Sequence, residues 1–179
     1  MGRRAYRGYD VLYQLPFDSE DDPRWRLLDA ARDRLAMARD QDDVIAIVRG
    51  AARNIVSADG VSFVLREYGH CHYVEEDAIS PLWKGQKFPM TSCISGWAML
   101  HDMTAVVPDI FADDRIPHDV YRKTFVRSLV MTPVSIDTPV AAIGAYWQER
   151  KAITPREVAA VEVLAELVGA ALRRTQKAA

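Results

Sequence analysis

Cysteine is scarce in this sequence, which has two in 179 residues, Cys71 and Cys93. Small secreted scaffolds depend on several disulfides, so this count favours a reducing, cytoplasmic compartment. Long apolar runs are also missing, since no stretch approaches the roughly 20 residues needed to cross a bilayer. The first residues are not followed by the apolar core of a signal peptide. We therefore expect a cytoplasmic protein that does not itself associate with a membrane.

A concentration of positive charge is missing as well. The 23 Lys and Arg residues are intermixed with 25 Asp and Glu residues, for a net charge of -2. Nucleic-acid binders gather basic side chains on one face, so we expect no nucleic-acid partner.

Two histidines, His70 and His72, would face the same side of a strand and could be metal ligands. A structural zinc site needs about four ligands, however, and the rest of the sequence has no Cys or His pair with recognisable ligand spacing. We expect no metal.

The length and the 49% hydrophobic content favour one compact domain. Residues 1–21 mix charge, glycine, tyrosine and proline without a period, which predicts an arm of uncertain order. A single domain is expected over residues 22–176, followed by a tail at 177–179. Asp22 and Pro23 are typical of a helix start, and Asp42 can cap a second helix.

Sequence patterns typical of strands and of further helices follow along the rest of the chain. Thr154 and Glu157 form a capping box at the start of the final helix. Together the patterns predict an α+β fold around a mainly antiparallel sheet. The predicted elements are a hairpin of strands 61–65 and 71–74, a short strand 87–90, a helix 92–101, a short strand 105–107, a helical turn 119–125, and two long strands 127–136 and 140–149.

Three segments carry a family resemblance. They are Ser-Cys-Ile-Ser-Gly-Trp at 92–97, Val-Pro-Asp-Ile at 107–110 and Arg-Ser-Leu-Val-Met-Thr-Pro-Val at 127–134. Over about residues 25 to 173 the sequence resembles a GAF domain, of the kind found as input domains of bacterial sensor histidine kinases and related signalling proteins. The resemblance implies a sheet of about five to six strands, with the terminal helices on one face and short pocket elements on the other. It also implies a non-enzymatic sensor of a small molecule, which fold alone does not identify.

Large aromatic residues are concentrated in the irregular middle of the chain, where the resemblance places a pocket. Aromatic walls with a few polar groups suit a small planar ligand, while Arg115 and Arg127 could hold an anionic group and Asp109 could accept a hydrogen bond. Each ring could equally be core, and each charged residue could be a local structural pair. The candidate pocket residues are Trp83, Phe88, Cys93, Trp97, Asp109, Ile110, Arg115, Tyr121, Phe125 and Arg127.

Cys93 has the most plausible reactive chemistry, because backbone N–H groups in the first turn of a helix favour a thiolate. A buried structural cysteine is the alternative. The free methionine-sulfoxide reductases, an enzymatic branch of the GAF family, use a thiolate and a resolving cysteine. Their set of three cysteines is not present here, and Cys71 is the only possible resolver. We expect Cys71 and Cys93 to lie farther apart than disulfide range, about 7 Å between Cα atoms.

His118-Asp119-Val120-Tyr121 is similar to the chromophore-contacting segment of phytochrome-type GAF domains. Pro117 stands where the cyanobacterial bilin-binding forms have their attachment cysteine, so we expect no covalent bilin. Non-covalent haem or bilin stays open, and the cofactor is otherwise unknown.

Apolar stripes on the first and last helices can pack within the chain or against a second copy. We expect a homodimer through these terminal helices, with an effector such as a kinase domain in cis or in trans. The remaining alternative is a GAF-like dimerisation module without a ligand.

Overall fold

The computed structural model describes residues 22–178; the predicted arm at residues 1–21 lies outside this range. Five helices and six strands alternate along the chain. The helices are α1 (Pro23–Ala36), α2 (Gln41–Val56), α3 (Ile94–His101), α4 (His118–Tyr121) and α5 (Pro155–Ala178), and the strands are β1 (Gly60–Glu67), β2 (His70–Ala78), β3 (Lys87–Pro89), β4 (Ala105–Val107), β5 (Ser128–Ser135) and β6 (Pro139–Trp147).

All six strands form one antiparallel sheet in the order β3-β2-β1-β6-β5-β4. The predicted hairpin, β1–β2, and the two predicted long strands, which pair as β5–β6, meet at the centre of the sheet, where β1 pairs with β6. The three-residue strands β3 and β4 close the two edges. The predicted α+β fold with a mainly antiparallel sheet is therefore confirmed.

Local capping explains where the helices begin. Asp22 accepts the backbone N–H of Arg24 at 3.0 Å, and Thr154 and Glu157 form the expected reciprocal capping box. The prediction that Asp42 caps α2 is wrong, because Asp40 accepts the Asp43 N–H at 2.8 Å and the helix starts one residue later, at Gln41.

Two predicted elements of the middle have different bounds. The helical turn expected to run to Phe125 ends at Tyr121. The helix expected to begin at Ser92 begins at Ile94, because a 3-10 turn, Met90–Ser92, precedes it and Cys93 is its N-cap. Cys93 therefore has extended backbone and stands just before the helix.

The sheet buries a separate core on each face. The helix-side core packs α1, α2 and α5 against one face. The other face carries α3, α4 and the loops around them, and we call it the cysteine-side core because it holds Cys71 and Cys93. Residues that alternate along β5 enter opposite cores, as Val130 and Met131 do. Within residues 22–178 no helix is both long and apolar enough to span a membrane.

Candidate functional site

A small cavity lies inside the cysteine-side core. Its lining is mainly aromatic, with one thiol: Tyr73, Trp83, Phe88, Cys93, Pro117, Val120 and Tyr121. Tyr73 meets Trp83 and Phe88 edge to face, each with 5.6 Å between ring centroids, and the rings of Trp83 and Tyr121 are 4.7 Å apart. The free volume is about 10 Å³, which is room for roughly one water molecule. In this conformation the rings fill most of the pocket themselves.

A carboxylate holds the loop that carries Trp83. Glu76, on β2, accepts the backbone N–H groups of Leu82, Trp83 and Lys84, each at 2.9 Å. Hydrogen bonds to a charged acceptor are the stronger kind, so one side chain sets the path of three consecutive residues. Trp83 is thereby placed over the cavity and is 4% exposed.

Cys93 reaches the cavity because the chain turns sharply before α3. A Cβ atom at position 96 would collide with the Met90 carbonyl oxygen, so only glycine lets the helix start this close to the preceding turn. The Cys93 Sγ lies 3.3 Å from the Ser95 Oγ and can donate to the Pro89 carbonyl oxygen at 3.6 Å. The Ser95 hydroxyl also meets the Tyr73 hydroxyl at 3.0 Å, which links the thiol to the cavity wall.

Cys71 and Cys93 lie near each other in the cysteine-side core. Cys71 pairs with Phe88 across β2 and β3, and the Cys93 Sγ lies 3.6 Å from the carbonyl oxygen of the next residue, Pro89. The neighbouring Cys71 thiol is the main reason that the pKa of Cys93 falls to about 6, and the Ser95 hydroxyl and the backbone N–H groups of Gly96 and Ser95 lower it further, against the effect of burial. The Cys93 thiol, and after it burial, raises the pKa of Cys71. Cys93 is therefore the thiolate of the pair and Cys71 its proton-bearing neighbour. The expectation that their Cα atoms lie farther apart than about 7 Å stays a prediction.

Tyr121 brings an unused hydroxyl to the cavity. The side chain is 3% exposed, and its hydroxyl makes no hydrogen bond with any other residue of the range 22–178. Burial raises the pKa of Tyr121 well above its usual value, so the hydroxyl stays neutral. A neutral hydroxyl without a protein partner, on a residue that lines the cavity, can donate to a bound molecule.

Four of the ten candidate residues line the cavity, namely Trp83, Phe88, Cys93 and Tyr121. Ile110 is fully buried in the same core without lining the cavity, and Phe125 packs at the edge of that core. Trp97 lies outside the lining, stacked on His101 at 4.6 Å.

The three charged candidates do not line the cavity and have partners elsewhere. Asp109 accepts the Phe111 N–H at 3.1 Å and pairs with Arg150 at 2.9 Å. Arg115 pairs with Asp113 through several hydrogen bonds, the shortest at 2.6 Å, and its guanidinium lies 4.5 Å from the centre of the Trp97 ring. Arg127 donates to the neighbouring Val126 carbonyl and lies over the Phe111 ring.

The histidines of the two motifs make local contacts. His70 lies 3.1 Å from the Tyr68 carbonyl oxygen, and His72 lies 3.1 Å from a Glu67 carboxylate oxygen. The Nε2 of His118 lies 3.2 Å from the Asp113 carbonyl oxygen, at the base of the loop before α4. Across residues 22–178, no three His, Cys, Asp or Glu side chains gather into a group that could hold a metal ion.

The sequence interpretation missed several residues of the site, among them Tyr73, Ser95 and Glu76. Cys71 and Tyr73 alternate with His70 and His72 along β2, and that two-residue period was the available signal that they share the buried face. No comparable signal existed for Glu76, because its partners lie in an irregular loop.

Comparison with known families matches residues 38–173 to the family model described as the GAF domain. No curated protein matches the sequence.

Several solved structures share the fold. A free methionine-R-sulfoxide reductase from Neisseria meningitidis is 15% identical, with a TM-score of 0.75 over 87% of this chain and 92% of that one. The GAF domain of an Acinetobacter phosphoenolpyruvate-protein phosphotransferase is 9% identical, with a TM-score of 0.76 over 89% and 98%. The chromophore-binding domain of a bacteriophytochrome from R. palustris is 14% identical, with a TM-score of 0.72 over 89% and 64%. At these identities the likeness concerns the fold.

Proposed function

Because the chain belongs to the GAF domain family, we propose that it is a sensory or regulatory domain that binds a small molecule in the cavity beside Cys93. The observation that carries this proposal is the cavity lining, where four aromatic rings, two of them tyrosines, and the Cys93 residue surround a small free volume. Such a lining suits a planar group that can form one or two directed hydrogen bonds.

An anionic group on the ligand is the second part of the proposal. Arg127 lies outside the cavity lining, but its guanidinium forms no ion pair with a carboxylate of residues 22–178, so it is the charged candidate left to meet such a group when the pocket opens. Arg115 is less available, because Asp113 already occupies its guanidinium. The ligand must displace the rings around the cavity in order to enter, so binding selects a second conformation of the pocket.

The sheet offers a physical route for the signal. β5 and β6 contribute Met131 and Tyr146 to the cysteine-side core, and their neighbours Val130 and Ala145 to the helix-side core. A ligand that moves the pocket rings thus acts on strands that also pack against α5, whose terminus would transmit the change. We propose a homodimer through the terminal helices and a signalling effector, such as a histidine kinase domain, in cis or in trans.

A thermal-shift screen tests the ligand proposal. The compounds are cyclic nucleotides, purines, amino acids, tetrapyrroles and methionine sulfoxide; a ligand at about 100 times its dissociation constant adds roughly 2.7 kcal/mol of stability. Val120→Trp fills the cavity and should abolish the shift, while Leu27→Trp, on the exposed surface of α1, should preserve it. A shift that survives Val120→Trp, or no shift with any compound, contradicts the proposal, and the second result favours a ligand-free dimerisation module.

The neighbouring thiols favour one further candidate, a thiol-dependent reductase of free methionine sulfoxide. In that reaction the sulfoxide oxygen leaves as water while the two thiols become a disulfide. The test incubates the reduced protein with free methionine sulfoxide and measures methionine formed against thiols lost. Equal amounts of methionine and disulfide, abolished by Cys93→Ser, would establish this activity; unchanged thiols exclude it.

A further inference from the structure

The two cysteines of the chain are both buried, but only Cys93 lines the cavity. Cys71 lies on β2 and is fully buried, whereas Cys93 is 7% exposed and lines the cavity. A solute that enters the cavity therefore meets the sulfur of Cys93 first. Cys71 pairs with Phe88 across β2 and β3, and the Cys93 Sγ lies 3.6 Å from the carbonyl oxygen of the next residue, Pro89, so the two cysteines are near each other. The rest of the core covers Cys71, so Cys93 is the partner with which its thiol can react.

The free volume of the cavity restricts which molecules reach Cys93. About 10 Å³ admits a molecule of the size of water or slightly larger after small side-chain movements. A planar ring or an amino acid sulfoxide needs a larger rearrangement of Trp83, Phe88 and Tyr121. Hydrogen peroxide has only two heavy atoms, so it is a thiol oxidant small enough to enter this cavity.

The surroundings of Cys93 favour attack by its sulfur. The Ser95 hydroxyl and the backbone N–H groups of Ser95 and Gly96 stabilise negative charge on the sulfur. A thiolate is the nucleophile in reactions with peroxides, so this environment makes Cys93 the more reactive of the two thiols.

From this arrangement we propose that Cys71 and Cys93 are a peroxide-responsive pair, in which Cys93 is oxidised first and Cys71 then closes a reversible disulfide. The disulfide would join β2 to the start of α3 and would enclose the segment that carries Trp83 and Phe88. Oxidation would thus link β2 and the start of α3 covalently, and both of these elements contribute residues to the cavity lining. The inference does not depend on which ligand, if any, the pocket binds.

The chemistry balances in two steps. The Cys93 thiolate attacks one peroxide oxygen, so an S–O bond forms, the O–O bond breaks and the other oxygen leaves as water after taking a proton. This yields the sulfenic acid of Cys93. The Cys71 sulfur then attacks the Cys93 sulfur, an S–S bond forms, the S–O bond breaks, and a second water leaves with the Cys71 proton. The peroxide accepts the two electrons, and an external dithiol returns them.

The experiment uses the full chain, reduced with dithiothreitol, desalted and treated with one equivalent of hydrogen peroxide. We expect both thiols to disappear together, with a mass loss of about 2 Da and a cross-linked peptide containing Cys71 and Cys93. Dithiothreitol should restore both thiols. Cys71→Ser should stop at a sulfenic acid, which dimedone traps once the oxidised protein is unfolded in its presence, and Cys93→Ser should leave Cys71 unmodified.

A matched serine pair tests the role of the surroundings of Cys93. Ser95→Ala should slow the oxidation, whereas Ser128→Ala, which removes another fully buried hydroxyl, should leave the rate unchanged. Thermal melts check that each variant is folded.

Three results would overturn the proposal. They are two thiols that survive a tenfold excess of peroxide in the folded protein, disulfide-linked dimers in place of the internal bond, and a sulfinic acid at Cys93 while Cys71 stays reduced. Peroxide oxidation without any thermal shift from the ligand screen would support this inference and contradict the ligand proposal, so the two can fail separately.

Discussion

The helix-side core and the cysteine-side core share one sheet but bury different chemistry. On the helix side the buried residues are mostly aliphatic, as Leu28, Ile55 and Leu164 are. The cysteine side holds both thiols and the buried hydroxyls of Tyr73, Tyr121 and Ser95. One face is therefore built for packing, and the other also places reactive and hydrogen-bonding groups around a cavity.

This difference has an energetic meaning. Aliphatic packing has no polar groups to satisfy, so the helix-side core contributes stability through the area it removes from water. Buried hydroxyls and thiols are costly unless they are paired, and on the cysteine side most of them pair with each other, as Ser95 does with Tyr73 and Cys93. The fully buried polar side-chain atom that lacks a partner among residues 22–178 belongs to the helix side, where it is the indole N–H of Trp25.

The largest expected effect is a loss of unfolding free energy when a side chain of the helix-side core is removed. Leu164→Ala removes a fully buried side chain of α5, and we expect it to lower the free energy of unfolding by about 3 kcal/mol. The pH profile of Cys93 alkylation should not change. Urea denaturation and mass spectrometry of alkylated protein measure the two quantities; a loss below about 1 kcal/mol would show that the helix side is not the main source of stability.

The next effect concerns the loop over the cavity. Glu76→Ala leaves the backbone N–H groups of residues 82–84 without their acceptor, and we expect it to cost about 2 kcal/mol in unfolding free energy. Alkylation of Cys93 should become faster because Trp83 no longer covers the cavity. Glu76→Gln keeps one acceptor oxygen and should lose less. Equal losses in the two variants would show that the loop does not depend on this side chain.

A smaller effect is the titration of Cys93. Iodoacetamide alkylation should rise with pH to a plateau with a midpoint near the pKa of about 6, well below the roughly 8.5 of an ordinary cysteine. The sign follows from a thiolate stabilised in the folded state, which is present above that pKa and is lost as the pH falls through it. Ser95→Ala removes a hydrogen bond worth about 1 kcal/mol and should move the midpoint upward. A midpoint near 8.5 in the unaltered protein would contradict the proposed thiolate.

The smallest effect on the monomer is at the helix surface. Met37 is 80% exposed beside α1, where a second copy could cover it. Met37→Glu should change the free energy of unfolding by no more than about 0.5 kcal/mol while weakening the homodimer in sedimentation velocity. A monomer at high concentration in the unaltered protein would rule out the dimer proposal.

Short-range signals in the sequence were sufficient for the type and order of the main elements of the fold, but not for the cap of α2 or the bounds of α3 and α4. The capping residues Asp22 and Thr154, the hairpin turn before β2 and the alternation along β5 and β6 each involve residues a few positions apart, so their physics is local. The GAF assignment, confirmed by the family match over residues 38–173, rests on the same linear order.

The site depended on distant contacts instead. Asp109 looked like a ligand group until the fold brought Arg150 within 2.9 Å of it. Cys71 and Cys93 became a pair because β2 and β3 align and the chain turns back at Gly96. The sequence by itself determined the helices, the strands and their family; the tertiary structure alone decided which side chains share the cavity, since that depends on strand pairing and close packing between residues far apart in the chain.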